Sequence, residues 1–154
     1  MRQRVIGWGN PLAGDDGIGP RTADLVFARV GDATEVVSTS CAPFRLVEQM
    51  RGFDRVILAD VRVDTNDTAV RREVIRPSAL PAQAGLTRHD APLLDCLRTF
   101  RALDDDALPE EIVLLTAPIA PCIAWVDRLS EQAEQTAVRL ADAVCRELEV
   151  KVCG

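Results

Sequence analysis

The chain lacks the cysteine patterns that hold small or metal-bound scaffolds together. Its five cysteines are odd in number and none belongs to a C-x-x-C pair. This spacing excludes a disulfide framework and a structural zinc site. We therefore expect reduced thiols at all five positions, which are Cys41, Cys96, Cys122, Cys145 and Cys153.

Long apolar runs are also missing. The most apolar segment, residues 112–126, is interrupted by Pro118 and Pro121. It falls short of the roughly 20 residues that a membrane-spanning helix needs. The basic residues 1–4 are followed by an apolar stretch too short for the core of a signal peptide. We therefore expect a cytoplasmic protein without a membrane partner.

Positive charge is scarce relative to negative charge. Lys and Arg number 18 against 24 Asp and Glu, which gives a net charge of -6. This balance argues against nucleic acid or an anionic membrane surface as a partner. The chain has a single histidine, His89, and no Ser-His-Asp or Cys-His grouping is evident in it.

What the chain does have is an alternation of strand and helix patterns without a linker or an internal repeat. With 154 residues, 47% of them hydrophobic, it predicts one domain spanning 1–154. The order β-α-β-α-β-β-α-β-α predicts an open α/β sheet with helices on both faces. Strand patterns fall at 5–8, 35–37, 55–59, 70–75 and 112–115, and helix patterns at 18–30, 44–50, 93–100 and 129–148.

The first loop carries an unusual charge for its place. The strand at 5–8 runs into glycines and then into Asp15 and Asp16, where a helix begins. A phosphate-binding loop presents backbone N–H groups there, so acids are the wrong charge for a nucleotide. The pattern Gly7-x-Gly9 also has no third glycine in register. Carboxylates suit a metal ion or a polarised water better.

Three residues are expected to meet at the carboxyl edge of the predicted sheet. Asp16 follows the first strand, Asp60 is predicted to end a central strand, and His89 precedes the third helix. Two carboxylates and one imidazole suit a borderline divalent metal such as nickel, zinc or iron. The alternatives are that Asp15 or Asp16 caps a helix, that Asp60 binds loop amides and that His89 is a surface residue.

These motifs resemble those of the hydrogenase maturation proteases, and most closely the formate-hydrogenlyase type. The resemblance covers roughly residues 4–148. It is carried by G-W-G-N-P-L-A-G-D-D-G-I-G-P at 7–20, I-L-A-D at 57–60, T-R-H at 87–89, and P-L at 92–93. It implies a phosphorylase/hydrolase-like three-layer sandwich with a mixed, mostly parallel, five-stranded sheet. It also implies that Asp16, Asp60 and His89 bind metal.

The implied activity is an endopeptidase that removes the C-terminal extension of a hydrogenase large-subunit precursor after nickel insertion. Nickel carried by the substrate would be the recognition element, and another divalent metal fits the same donors. Asp16 and Asp60 would also be catalytic, deprotonating a water polarised by the metal. We expect a monomer that meets its precursor transiently.

One segment departs from the resemblance. Where the family has Asp-Gly-Gly followed by Thr or Ser, this chain has S-T-S-C at 38–41, and then Ala42 and Pro43, which fit. Because the aspartate and both glycines of that pattern are missing, the alternative function is a non-catalytic nickel-sensing chaperone of the same fold. Cys41 is a poor nucleophile candidate because its only possible histidine partner, His89, is assigned to the metal site.

The first prediction concerns His89. His89→Ala should abolish metal-dependent substrate recognition while the melting temperature stays near that of the wild type, because a loop imidazole contributes little to a core. Nickel titration and thermal unfolding check the two parts. A large drop in melting temperature would instead indicate a structural histidine.

Overall fold

Five strands form one sheet in the computed structural model, which describes residues 1–81, 91–103, 105–121 and 125–149. The strand order is β2-β1-β3-β5-β4, with β4 antiparallel to β5 and the other pairs parallel. The antiparallel strand lies at an edge, as its charged pattern predicts. The strands are β1 Gln3–Trp8, β2 Glu35–Thr39, β3 Arg55–Val63, β4 Arg71–Ile75 and β5 Glu111–Ile119.

Among the described residues, four α-helices cover the two faces of this sheet. They are α1 Ile18–Val30, α2 Pro43–Met50, α3 Ala91–Ala102 and α4 Glu131–Glu149. Apolar side chains of α1 and α4 form one buried cluster with the sheet, and those of α2 and α3 form the other. The predicted three-layer α/β sandwich with a mixed, mostly parallel, five-stranded sheet is therefore confirmed.

The buried strands explain why the sequence indicates this fold so clearly. Successive side chains of a strand point to opposite faces, so Ile57 enters the cluster under α1 and α4 while Leu58 enters the one under α2 and α3. Both faces are covered, and the central strands are accordingly almost continuous apolar runs. In the part of the chain that the structure describes, no helix combines the length and apolar character that crossing a bilayer requires.

Strand β3 is longer than its sequence pattern predicts. The prediction that Asp60 ends this strand is wrong, since pairing with β5 continues as far as Val63 and Ile119. The extension carries Arg62, whose side chain is only 6% exposed. Its guanidinium donates to the Thr116 carbonyl at 2.7 Å and to Asp67 at 2.9 Å. These hydrogen bonds compensate the cost of burying the Arg62 charge. In the sequence pattern alone, such a charge indicates that a buried strand has ended.

A buried ionic network closes the amino end of the sheet. Arg55 is 2% exposed, and its Nη2 donates to Glu147 of α4 at 2.7 Å while its Nε donates to Glu111 at 3.0 Å. Its Nη1 also donates to the Glu147 carbonyl at 2.9 Å and to Gln3 at 3.1 Å. Arg72 pairs with the same Glu147 carboxylate. The network therefore ties the last turn of α4 to β1, β3, β4 and β5.

This network gives a pH-dependent stability. Hydrogen bonds from Arg72 and then Arg55 hold the pKa of Glu147 below its usual value, against the opposing effect of burial. A lowered pKa in the folded state means stability that is present above the unfolded pKa of Glu147. That stability is lost as the pH falls through the folded pKa.

We predict that Glu147→Gln lowers the free energy of unfolding by about 2 kcal/mol at neutral pH, the typical worth of hydrogen bonds to a charged group. The difference should shrink in acid, where the wild-type carboxylate is itself protonated. Urea unfolding at neutral and acidic pH measures both effects. Glu149→Gln, an exposed position on the same helix, is the matched control and should change neither. An equal loss for both variants would contradict the account.

Candidate metal-binding and catalytic site

The sheet has a topological switch point between β1 and β3. Strand β1 lies in the sheet between β2 and β3, its two parallel neighbours. From β1 the chain passes through α1 to β2 on one side of β1. From β2 it passes through α2 to β3 on the other side of β1. In open α/β sheets such a reversal leaves a crevice at the carboxyl ends of the strands, where ligands bind.

Glycines bring the backbone of α1 directly against β1 at this point. A Cβ on Gly7 would lie 2.2 Å from the Gly19 carbonyl oxygen, and a Cβ on Gly19 would lie 2.1 Å from the Trp8 carbonyl oxygen. A Cβ on Gly9 would lie 2.1 Å from the Asp16 carbonyl oxygen. No side chain larger than hydrogen fits at these three positions without moving the backbone. The glycines of the first motif therefore fix where Asp16 stands.

The two adjacent acids of the motif have separate tasks. Asp15 accepts hydrogen bonds from the amide and the hydroxyl of Ser130, both at 3.0 Å. The Ser130 hydroxyl in turn accepts the Ala133 amide at 3.1 Å, so Asp15 supports the cap of α4. Asp16 accepts the Asn10 amide at 2.7 Å and does not cap α1, whose first turn has no side-chain cap.

Asp60 reaches the same edge from β3. It is half-buried, and its Oδ1 accepts the amide of Val61 at 2.7 Å. Its side chain lies on the same face of the sheet as that of Leu58, because the two positions are separated by one full strand period. The carboxylate is thus carried by regular central-strand backbone, which is stiffer than a loop.

Asp16 and Asp60 line one cleft with a volume of about 370 Å³. Among the described residues, the charged side chains that line this cleft are these two carboxylates, which are ligands suited to a divalent cation. The other lining residues are Trp8, Gly9, Asn10, Ser40, Cys41, Val61, Val63 and Ile119. A larger cavity of about 790 Å³ lies at the opposite edge between the C-terminal ends of α1 and α4, away from both carboxylates.

The described part of the chain provides only part of a metal site. Within residues 1–81, 91–103, 105–121 and 125–149, no group of three His, Cys, Asp or Glu side chains is arranged to hold a metal ion. Asp16 and Asp60 come together, whereas His89 lies outside the described residues and stays a prediction. Two carboxylates leave most coordination positions of a divalent cation for other ligands.

Residues 39–41 form a wall of the cleft, which we call the cleft wall. Sequence reasoning singled out residues 38–41 through the resemblance but missed the contacts that hold this wall. The Trp8 indole donates to the Cys41 carbonyl at 2.9 Å. The Gln49 amide donates to the Thr39 hydroxyl at 3.4 Å and lies 3.7 Å from the Cys41 sulfur. These contacts join β1, the end of β2 and α2. No periodic pattern in the sequence could have indicated them.

No family model matches the chain, and no curated protein matches it in sequence. Solved structures do match it. The hydrogenase-maturating endopeptidase HybD from E. coli superposes with a TM-score of 0.74 at 22% identity, covering 97% of this chain and 93% of that one. The fold is that of the hydrogenase maturation endopeptidases.

Two archaeal structures support the same conclusion. The [NiFe] hydrogenase maturation protease HybD from Thermococcus kodakarensis gives a TM-score of 0.70 at 20% identity, covering 96% of this chain and 99% of that one. HycI from the same organism gives 0.67 at 20% identity, covering 96% and 92%. These matches do not test the formate-hydrogenlyase subtype, which stays a prediction.

The two adjacent acids provide a matched test of the site. We predict that Asp16→Asn and Asp60→Asn each weaken Ni²⁺ binding in calorimetric titration, because each removes a ligand charge and keeps the side-chain shape. Asp15→Asn should leave Ni²⁺ affinity unchanged and lower the melting temperature, because Asp15 supports α4. Loss of Ni²⁺ affinity in Asp15→Asn alone would show that the wrong acid has been assigned to the site.

Proposed function

We propose that this protein is an endopeptidase that removes the C-terminal extension of a nickel-loaded hydrogenase large-subunit precursor. The observation that carries the proposal is the pairing of Asp16 and Asp60 in one cleft at the switch point of this fold. The fold itself is shared with proteins named as hydrogenase maturation endopeptidases. The proposal includes a cytoplasmic setting and a monomer that meets its precursor transiently.

Nickel enters this account as part of the substrate. A cation carried by the precursor would be held by the two carboxylates that line the cleft. Asp16, Asp60 and the predicted ligand His89 complete the coordination of the bound nickel. A nickel-free precursor offers no such interaction, so discrimination rests on coordination energy that it cannot supply.

The cleavage step needs only a water and a base. One of the two carboxylates takes a proton from a water molecule in the cleft, and the water oxygen bonds to the carbonyl carbon of the scissile peptide. The C–N bond then breaks, and the departing amine takes up a proton. The products are a new carboxylate on the large subunit and the released C-terminal peptide.

Exposed apolar side chains near the first loop favour a protein substrate over a small molecule. Trp125 is 81% exposed and Leu12 is 59% exposed. Both side chains stand on loops that pair through a parallel bridge between Ala13 and Val126, reinforced by the bond from the Val126 amide to the Leu12 carbonyl at 3.0 Å. The Leu12 amide also donates at 2.9 Å to the side chain of Asn10, which lines the cleft. Apolar side chains held out by ordered backbone are typical of protein interaction sites.

A second candidate function is a nickel-sensing chaperone that binds the loaded precursor without cutting it. The cleft wall favours it, because Ser40 and Cys41 line the cleft where the resembling proteases carry Asp-Gly-Gly. If the missing acid contributes to cleavage, binding would survive its loss and hydrolysis would not.

We predict that the protein shortens a nickel-loaded large-subunit precursor by one C-terminal peptide and leaves the nickel-free precursor intact. Intact-mass spectrometry of the two mixtures measures this. Asp16→Asn should abolish the mass loss, and Asp15→Asn, assayed below its melting temperature, should retain it. Nickel-dependent binding without mass loss would support the chaperone. Equal cleavage of both precursors would contradict the role of nickel.

A further inference from the structure

Several hydrogen bonds attach the cleft wall to β1 and α2. Its first residue is held by a main-chain bond from the Gly9 amide to the Thr39 carbonyl at 3.0 Å. The next residue after the wall, Ala42, is the N-cap of α2 and accepts the Leu46 amide at 3.0 Å. Between them, the Cys41 amide donates to the Thr39 hydroxyl at 3.3 Å. This internal bond folds the segment back on itself.

Two side chains add restraints from outside the segment. Trp8 packs against the apolar cluster under α2 and α3, and its indole N–H donates to the Cys41 carbonyl at 2.9 Å. Gln49 places its amide between the Thr39 hydroxyl and the Cys41 sulfur, at 3.4 and 3.7 Å. Arg4 donates to the main-chain carbonyl of Gln49 at 2.6 Å, which ties the end of α2 to β1.

We interpret these hydrogen bonds as restraints that keep the cleft wall in one conformation. Ser40 and Cys41 line the same cleft as Asp16 and Asp60, and neither carries a carboxylate. A peptide that entered this cleft would contact the wall, and a cation carried with it would contact the two acids. A wall that is already ordered avoids the entropic cost of ordering a loop when the peptide binds.

Building on the function above, we propose that Trp8 and Gln49 are positioning residues that hold the cleft wall in the conformation that receives the tail of the precursor. Gln49 contacts the wall from α2, and Trp8, which itself lines the cleft, acts on the wall through its indole N–H bond to the Cys41 carbonyl. Loss of either restraint therefore weakens binding of the precursor and leaves the two carboxylates, and with them Ni²⁺ binding, unchanged.

Trp8→Phe is the sharper of two variants, because it keeps an aromatic ring and removes the indole N–H. The Cys41 thiol reports the mobility of the wall directly. Its alkylation rate, resolved by peptide mass mapping, should rise roughly two- to tenfold, the equilibrium effect of losing one neutral hydrogen bond. The rate at Cys145 is the internal control and should not change. Trp125→Phe is the matched control for this measurement and should leave the Cys41 rate unchanged.

Gln49→Met removes both amide contacts at similar side-chain volume, and Glu48→Gln, its exposed neighbour on α2, is the control. For Trp8→Phe and Gln49→Met, the dissociation constant of the nickel-loaded precursor should rise by a similar factor of roughly two to ten, while the Ni²⁺ dissociation constant stays at the wild-type value. Unchanged Cys41 alkylation or unchanged precursor affinity would overturn the proposal.

Precursor affinity is measured without relying on cleavage. The peptidase function and the positioning role can therefore be refuted independently. A wild-type protein that binds the loaded precursor and leaves it uncut would refute the peptidase function and leave the positioning role standing. Wild-type cleavage with no effect of Trp8→Phe on affinity would refute the positioning role alone. A loss of Ni²⁺ affinity in Trp8→Phe would also refute it, because the variant would then have disturbed the site as a whole.

Discussion

Backbone contact between β1 and α1 is the constraint on which the rest of the structure depends. Gly7 and Gly19 let the first turn of α1 lie against β1 with no side chain between them. Gly9 then allows the loop to pass directly over the Asp16 carbonyl. This close approach places Asp16 at the edge of the sheet where β3 delivers Asp60. A single added methyl group at any of the three positions would separate strand from helix and move the acid.

Charge is distributed unequally between the two ends of the sheet. At the amino end, Arg55 is buried with two glutamates and a carbonyl, and its charge is fully matched. At the carboxyl end, Asp16 and Asp60 line a cleft that, within the described residues, contains no Lys or Arg. The first arrangement holds the secondary-structure elements together, whereas the second brings two carboxylates, which are ligands for a divalent cation, to one cleft.

The sequence indicates the architecture because buried parallel strands and amphipathic helices have different periods, and the apolar runs at β3 and β5 are easily recognised. It misplaces the end of β3, because Asp60 and Arg62 look like loop residues until their partners Thr116 and Asp67 are known. It cannot separate Asp15 from Asp16, two identical side chains whose tasks differ only through Ser130 and Asn10. The contact between Trp8 and Cys41 joins two segments that become neighbours only when the sheet has formed.

The central claim is that Asp16 and Asp60 bind one cation together. The most direct test is a crystal structure of the protein with Ni²⁺, with anomalous scattering recorded on both sides of the nickel absorption edge. The account predicts one anomalous peak in the cleft, coordinated by a carboxylate oxygen of each aspartate. A peak bound elsewhere, for example at the Asp64 and Asp67 carboxylates of the loop that follows β3, with none in the cleft, would contradict it.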